Sequence, residues 1–333
     1  MKNSVFIIAE AGVNHNGDIH LAKELIEAAA STGVDAVKFQ TWKTELIVTE
    51  NAKMAQYQID NIGQENSQFS MLKKLELSYD NFLELKEYCD LFGIMFMSTP
   101  DEEQSATFLN DLQNIIKIGS GELTNIPFLR HIAKMKKNII LSTGMGYLSE
   151  VEHAIYTLLH AGLEKENITI LHATTDYPTH PRDVNLNVIT TLSKAFPGIN
   201  VGYSDHTSGI EIPIAAVALG AKVIEKHFTL DKTMEGPDHK ASLEPNELKS
   251  MVDAIRNIEL ALGDGWKKPT QAELNNRDIV RKSIVANQMI QQGTLIESHM
   301  LAIKRPGNGI SPVRWDEIVG SIAKKNYSEG ELI

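Results

Sequence analysis

Apolar and β-branched residues gather in short runs along the chain, and each run is followed by a longer stretch whose apolar positions recur at helical spacing. The runs are 5–9, 35–39, 93–97, 114–118, 138–141, 168–172, 199–203 and 221–225. They are too short for helices and nearly continuous in apolar character, as strands covered on both faces must be. Most start roughly 20 to 30 residues apart, the length of one strand-helix unit with short loops. Between them, Leu21, Leu25 and Ala28 with Ala22, Ile26 and Ala29 form a stripe that ends at Gly33, a helix C-cap. Ser149-Glu150-Val151-Glu152 reads as a capping box ahead of Val151, Ile155, Leu158 and Leu159. Leu248, Val252, Ile255 and Leu262 make a third stripe, closed by Gly263.

Eight such units predict an α/β fold, a (β/α)8 TIM barrel. The alternative, an open doubly wound sheet, would carry a glycine-rich nucleotide turn after its first strand, and Glu10-Ala11-Gly12-Val13-Asn14-His15-Asn16-Gly17 is not GxGxxG. Between strands two and three lies the long interval 41–79, polar and irregular with a short helix expected near 71–75. An excursion of that length suits a lid or specificity loop better than decoration. After Gly263 the texture changes again. The barrel is expected over 1–265, a linker over 266–281, and a small β-rich module over 282–333, too short to bury a large core alone.

Composition narrows the function classes. The 333 residues are 42% hydrophobic and 23% charged, in the globular range, with a net charge of −11. That balance argues against nucleic acid or an anionic membrane as the main partner, since both need a broad basic footprint. A single cysteine, Cys89, forbids an internal disulfide or a cysteine-rich zinc site. The apolar opening is too brief for a signal peptide, and 212–224 is broken by Pro213 and Lys222. A soluble, cytoplasmic protein is expected.

Barrel chemistry collects at the C-terminal ends of the strands, and here those ends are polar one after another: Glu10, Lys38 and Gln40, Ser98 and Thr99, Lys117, Ser120 and Glu122, Ser142 and Thr143, His172, Thr174 and Tyr177, Ser204, Asp205 and His206, Glu225 and His227. Any one could be a cap or turn residue; together they describe groups converging on one pocket. Lys38 and Lys117, with Ser98, Thr99, Ser120, Ser142 and Ser204, could hold a small anion. His206 and His227 end neighbouring strands and could share a divalent metal, although hydrogen-bonded structural histidines are common. Glu10 and Glu122 could serve as base, proton donor or hydroxyl anchor, or as salt-bridged scaffolding.

These residues sit in stretches that resemble the sialic acid (nonulosonic acid) synthase family. The matching segments include Ile8-Ala9-Glu10-Ala11-Gly12-Val13-Asn14-His15-Asn16-Gly17, Val37-Lys38-Phe39-Gln40-Thr41 and Lys117-Ile118-Gly119-Ser120-Gly121-Glu122. Gly202-Tyr203-Ser204-Asp205-His206-Thr207, Glu225-Lys226-His227-Phe228-Thr229 and Gly236-Pro237-Asp238-His239 continue the series. Lys304-Arg305-Pro306-Gly307-Asn308-Gly309-Ile310 is similar to the family's antifreeze-like (SAF) module. The resemblance runs in order through the whole chain, and its pattern is most like the bacterial legionaminic acid synthases.

The resemblance implies condensation of phosphoenolpyruvate with an N-acetylated hexose, 2,4-diacetamido-2,4,6-trideoxymannose, to give N,N'-diacetyllegionaminic acid and phosphate. Lys38, Thr99, Lys117, Ser120, Ser142 and Ser204 would hold phosphoenolpyruvate. Glu10, Gln40, Glu122 and Tyr177 would contact the sugar, with Glu122 moving a proton and Glu10 and His206 also at the chemistry. His206 and His227 would bind Mn²⁺, with Mg²⁺ or Co²⁺ as substitutes. Arg305 would reach in from the antifreeze-like module of a partner subunit, making a domain-swapped homodimer. Two departures bear on the sugar: Thr175 stands where many members have asparagine, and Phe39 and Trp42 replace the histidines of a His-Gln-Thr-His pattern. The alternatives are an N-acetylneuraminate synthase using N-acetylmannosamine and, in another class, a non-catalytic carbohydrate- or ice-binding protein.

Overall fold

The computed structural model describes residues 4–63 and 67–333; part of the 41–79 interval, 64–66, lies outside them. The chain divides into two compact units, Met1–Gly263 and Asp264–Ile333.

The first unit is the expected barrel. Its strands are β1 (Phe6–Gly12), β2 (Ala36–Thr41), β3 (Met95–Pro100), β4 (Ile115–Ile118), β5 (Asn138–Ser142), β6 (Ile168–Ala173), β7 (Asn200–Asp205) and β8 (Val223–His227). All pair in parallel, in the order β3-β2-β1-β8-β7-β6-β5-β4. Several start or end later than the apolar runs suggest, because their last residues are the polar ones that line the mouth. The ring closes where β3 and β4 lie side by side without a ladder between them. A side chain stands in for the missing ladder: the Ser98 N–H donates to Gln113 Oε1 at 2.6 Å, and Gln113 Nε2 donates to the Ser98 carbonyl at 2.9 Å. Those two bonds satisfy a buried backbone pair that would otherwise be orphaned.

Alternation along each strand sorts its residues between lumen and outer layer. Phe6, Ile8, Ala36, Met97, Ile115, Ile140, Leu171 and Val223 point inward and form an apolar plug. At β7 the inward position is Gly202, where a Cβ would come within 2.5 Å of the Val223 carbonyl oxygen and 2.6 Å of Leu171. The opposite parity packs against the helices in one large core that includes Ile7, Val37, Phe39, Phe96, Leu141, Ile170, Tyr203 and Ile224.

The helices follow their stripes. Ile19–Thr32 is capped by the Asp18 side chain and ended by Gly33 at φ 83°, a left-handed conformation that glycine adopts without strain. Pro245–Leu262 ends at Gly263 as expected. One start differs: the helix Leu148–His160 begins before Ser149, and the N–H of Tyr147 donates to the Glu150 carboxylate at 2.7 Å. The acidic residue at the third helical position thus caps the helix, and Ser149 lies inside the first turn. The 41–79 interval is less irregular than its polarity suggests. Among the described residues it forms three helices, Thr44–Ile47, Gln56–Ile62 and Gln68–Leu75, around a satellite core of Val13, Trp42, Met54, Met71 and Leu75. The last of them is the short helix expected near 71–75; the first two escaped the sequence reading because each buries only one residue. No described helix is long and apolar enough to cross a membrane.

In the second unit, β9 (Ser283–Ala286) pairs antiparallel with β10 (Leu301–Lys304). Ile284, Ala286, Ile290, Ile296, Leu301, Ala323 and Tyr327 form its core. The stretch 266–281, expected as a plain linker, carries the helix Gln271–Val280, capped by Thr270 and with no buried residue. Its lack of an apolar stripe hid it: the cap holds it locally rather than a core.

Candidate active site

Two residues beyond the apolar plug, the same inward parity becomes polar: Glu10 follows Ile8, Lys38 follows Ala36, Thr99 follows Met97, Lys117 follows Ile115, Ser142 follows Ile140, Ser204 follows Gly202 and Glu225 follows Val223. All seven are buried. Lys38 Nζ lies 2.5 Å from Glu10 Oε2 and 3.7 Å from Glu225 Oε2, and donates to Thr99 Oγ1 at 2.8 Å. Lys117 Nζ lies 3.4 Å from Glu225 Oε1 and donates to Ser142 Oγ at 2.7 Å. Ser204 Oγ donates to Glu225 Oε1 at 2.8 Å, and Gln40 Nε2 to Glu10 Oε1 at 3.0 Å.

The charges are unequal for a physical reason. Burial would raise the Glu225 carboxyl, but the ammonium groups of Lys117 and Lys38 and the Ser204 hydroxyl override it and hold it at about 2. Burial wins at Glu10, whose carboxyl is raised despite Lys38 because ionised Glu225 lies nearby. Burial works against the charge on Lys38, yet Glu10 and Glu225 raise its pKa; at Lys117 burial prevails and lowers it. Glu225 is therefore the carboxylate held most firmly ionised, between two lysines and with hydroxyl donors around them. A small polyanion entering from the mouth would meet both ammonium groups in a low-dielectric site, where charge-assisted hydrogen bonds are strong.

His227 is the register partner of Glu10 across β1 and β8 and lies two residues beyond Glu225 on the same strand, so the histidine pair borders this layer. The ring centroids of His206 and His227 are 5.3 Å apart. Burial lowers the pKa of both, and at His227 the neighbouring His206 adds to the effect. His206 Nδ1 bonds the Thr174 carbonyl oxygen at 2.6 Å, whereas His227 Nδ1 is buried without a hydrogen-bond partner. Two neutral imidazoles, one with an orphaned nitrogen, are the donors a divalent cation needs. Among the described residues no third His, Cys, Asp or Glu completes a protein-only cage, which would leave coordination positions for water and substrate. Tyr177 stacks on His206 at 4.1 Å and meets His227 edge-on at 5.5 Å.

The remaining candidates divide. Ser120, half-buried after β4, is tied to the loop after β5 by the Gly144 N–H, which donates to its Oγ at 3.0 Å. A Cβ on Gly144 would lie 2.4 Å from Thr175 Oγ1 and 2.8 Å from Ser120 Oγ, so only glycine fits between them. Thr175 Oγ1 is itself buried without a partner. Glu122 stands apart at the rim, accepting from Asn125 Nδ2 at 2.5 Å, in a cleft of about 380 Å³ shared with Asp101 and Ile47. Burial raises its carboxyl. Arg305 belongs to the second unit, where it is exposed; its loop is pinned by Ser283 Oγ, which donates to the Pro306 carbonyl oxygen at 2.7 Å and accepts from the Gly309 N–H at 2.9 Å.

Parity also removes several strand-end candidates from the pocket. Ser98 turns outward and shares a 2.6 Å hydrogen bond with Thr41 Oγ1. Asp205 turns outward to Lys226 Nζ at 2.5 Å and accepts from Tyr203 Oη at 2.9 Å. His172 bonds the Val184 carbonyl oxygen at 2.6 Å. These are scaffold groups, satisfied inside the helix-facing layer. Conversely, the sequence reading assigned Glu225 no role, although its two-residue step from His227 already put it on the lumen face. Asp101 and Asp238, whose carboxyls burial pushes up to about 7, carried no such periodic signal.

Fold and site together define the class: a (β/α)8-barrel enzyme with a buried layer of charged and hydroxyl groups at the C-terminal ends of its strands. The chain belongs to the NeuB family, which matches residues 25–267, and carries a SAF domain over residues 281–333. It is 53% identical to the N,N'-diacetyllegionaminic acid synthase of Campylobacter jejuni over 100% of this chain and 99% of that protein. It is 48% identical to the Legionella pneumophila protein of the same name over 98% and 93% of the two chains. The crystal structure of N-acetylneuraminic acid (sialic acid) synthetase from Leptospira borgpetersenii, in complex with citrate, is similar with a TM-score of 0.72 at 35% identity, covering 82% of this chain and 90% of that one.

Proposed function

We propose that the protein condenses phosphoenolpyruvate with 2,4-diacetamido-2,4,6-trideoxymannose and water, giving N,N'-diacetyllegionaminic acid and inorganic phosphate. The observation that carries this reading is the buried Lys38–Glu225–Lys117 layer bordered by two neutral imidazoles. It joins an anion site to an electrophile site in one mouth, as coupling of an enol phosphate to an aldehyde requires. A non-catalytic carbohydrate binder would have no use for two buried lysines at such desolvation cost.

Lys38, Thr99, Lys117, Ser120, Ser142 and Ser204 hold the phosphate and carboxylate of phosphoenolpyruvate and fix its C3 towards the sugar. Glu10, Gln40 and Tyr177 orient the open-chain sugar, with the Glu10 carboxyl at the reacting face. A divalent cation held by His206 and His227, Mn²⁺ first with Mg²⁺ or Co²⁺ as substitutes, would supply Lewis-acid polarisation of the aldehyde. As C3 forms the new carbon–carbon bond, C2 gains oxocarbenium character; water adds there, and cleavage of the C2–O bond releases phosphate. Glu122, at the rim with a raised carboxyl, exchanges the proton of that water. Arg305 of a partner subunit closes the pocket over the N-acetyl group, so the working unit is a homodimer. Phosphoenolpyruvate is a cytoplasmic metabolite, and the cytoplasm is the proposed location.

The similarity to an N-acetylneuraminic acid synthetase supports a second reading, in which N-acetylmannosamine is the sugar. Phosphate release with each sugar under Mn²⁺ tests both. The expected result is faster release with the diacetamido sugar, loss of activity with a chelator and recovery with added Mn²⁺, and no activity in His206→Ala or His227→Ala despite an unchanged far-ultraviolet spectrum. Release of no phosphate with any N-acetylated hexose would overturn the reaction, and full activity in either histidine variant the metal assignment.

A further inference from the structure

The helix Gln56–Ile62 rises from the polar excursion between β2 and β3 and is tied to the loops around the histidine pair. Asn61 Nδ2 donates to the Pro237 carbonyl oxygen at 2.6 Å and to that of Tyr177 at 3.3 Å. Lys240 Nζ donates to the Asp60 carbonyl oxygen at 3.3 Å and to that of Asn61 at 3.4 Å. These bonds fix the helix so that Tyr57 packs on Tyr177, ring centroids 4.9 Å apart and tilted by 32°. Tyr177 in turn covers His206 at 4.1 Å. The three rings form one continuous aromatic shelf running outward from the imidazoles. Tyr57 is held half-buried in it; burial, and then the charge of nearby Asp238, keep its hydroxyl protonated, well above the ordinary range.

With its carbonyl at the histidines, a six-carbon aldehyde chain laid along this shelf would bring its far end to Tyr57. The two candidate sugars differ at that outer end: one carries a methyl group and a second acetamido group, the other hydroxyls. An aromatic face favours the first, because methyl and acetamido groups gain from burial against a ring while an unpaired hydroxyl loses its water. We propose that Tyr57 is the positioning residue that sets sugar selectivity, holding the Tyr177 ring and extending it into an apolar wall for the deoxygenated end of the sugar. This rests on the proposed reaction and goes beyond it, since neither the anion layer nor the histidine pair distinguishes the two sugars. It would give the excursion the task of a specificity loop, one of the two roles its length suits.

The test is steady-state kinetics on the full-length protein, wild type, Tyr57→Phe and Tyr57→Ala, with 2,4-diacetamido-2,4,6-trideoxymannose and N-acetylmannosamine, and with phosphoenolpyruvate varied separately. Tyr57→Phe should keep the wild-type ratio of kcat/KM between the sugars. Tyr57→Ala should reduce that ratio about tenfold, the scale of one apolar contact in a substrate pocket, chiefly through the KM of the diacetamido sugar and with the KM of phosphoenolpyruvate unchanged. If Tyr57→Ala does not fold, Tyr57→Leu replaces it, with the same expectation at smaller amplitude. An unchanged ratio in these variants, or a parallel rise in both KM values, overturns the inference. Turnover of neither sugar by the wild type would instead remove the reaction on which it rests.

Discussion

His15 shows how burial alone can set the chemistry of a side chain. It ends the turn after β1, fully enclosed, with Nδ1 accepting from the Gly17 N–H at 3.0 Å and Nε2 unpartnered. Burial lowers its pKa to about 4 from an ordinary 6.5. The unfolded chain takes up this proton below pH 6.5, while the folded protein refuses it until about pH 4. Stability that is complete above pH 6.5 is therefore lost as the pH falls through that window, by about 3 kcal/mol for this one group. Urea unfolding of wild type and His15→Gln at pH 7.5 and pH 4 should show wild type losing about that much relative to the variant, and a pH-independent difference would contradict the account. At the same scale, burial pushes the thiol of Cys89 up to about 12. The candidate site was most legible here: each residue of the anion layer was recognisable as a polar group at the end of an apolar run. Its partners were not. The ion pair of Lys38 with Glu10 and the bridging position of Glu225 between two lysines depend on strands far apart in sequence.

Among elements, the strands were legible because a buried parallel strand must be apolar nearly throughout, a pattern that few loops imitate. The limits of that reading lie in parity. A strand end names two adjacent polar residues, but only one of them faces the lumen, and Ser98 beside Thr99, or Asp205 beside Ser204, can be told apart only once the register is known. The seam between β3 and β4 is a second case. Gln113 looked like an ordinary loop residue before a strand, yet its carboxamide replaces the missing ladder at Ser98. Gln113→Leu leaves a buried N–H and a buried carbonyl without partners, and unfolding by urea should report a loss of about 2 to 4 kcal/mol. A loss below about 0.5 kcal/mol, the level of a neutral surface change, would mean that the seam does not rely on it.

For the whole molecule, the proposed exchange of Arg305 between subunits makes a quantitative prediction. Arg305→Ala and His227→Ala should each be inactive alone. Mixed in equal amounts under subunit exchange, they should recover about a quarter of wild-type activity, because half of the dimers are then mixed and each contains one complete site. No recovery, with exchange shown by differently labelled subunits, would mean that Arg305 serves its own barrel or none. The sequence by itself determined the barrel, the change of texture after Gly263 and the ring of polar residues at the strand ends, because all of these follow from local periodicity and from residue types at strand ends. The tertiary structure alone decided which polar residue of each pair enters the lumen, that Glu225 is the ionised carboxylate while Glu10 is pushed up, and that Tyr57 is carried to the aromatic shelf. The physical reason is that burial and charge coupling act between groups brought together by closure of the ring, and their strengths depend on distances that no linear pattern contains.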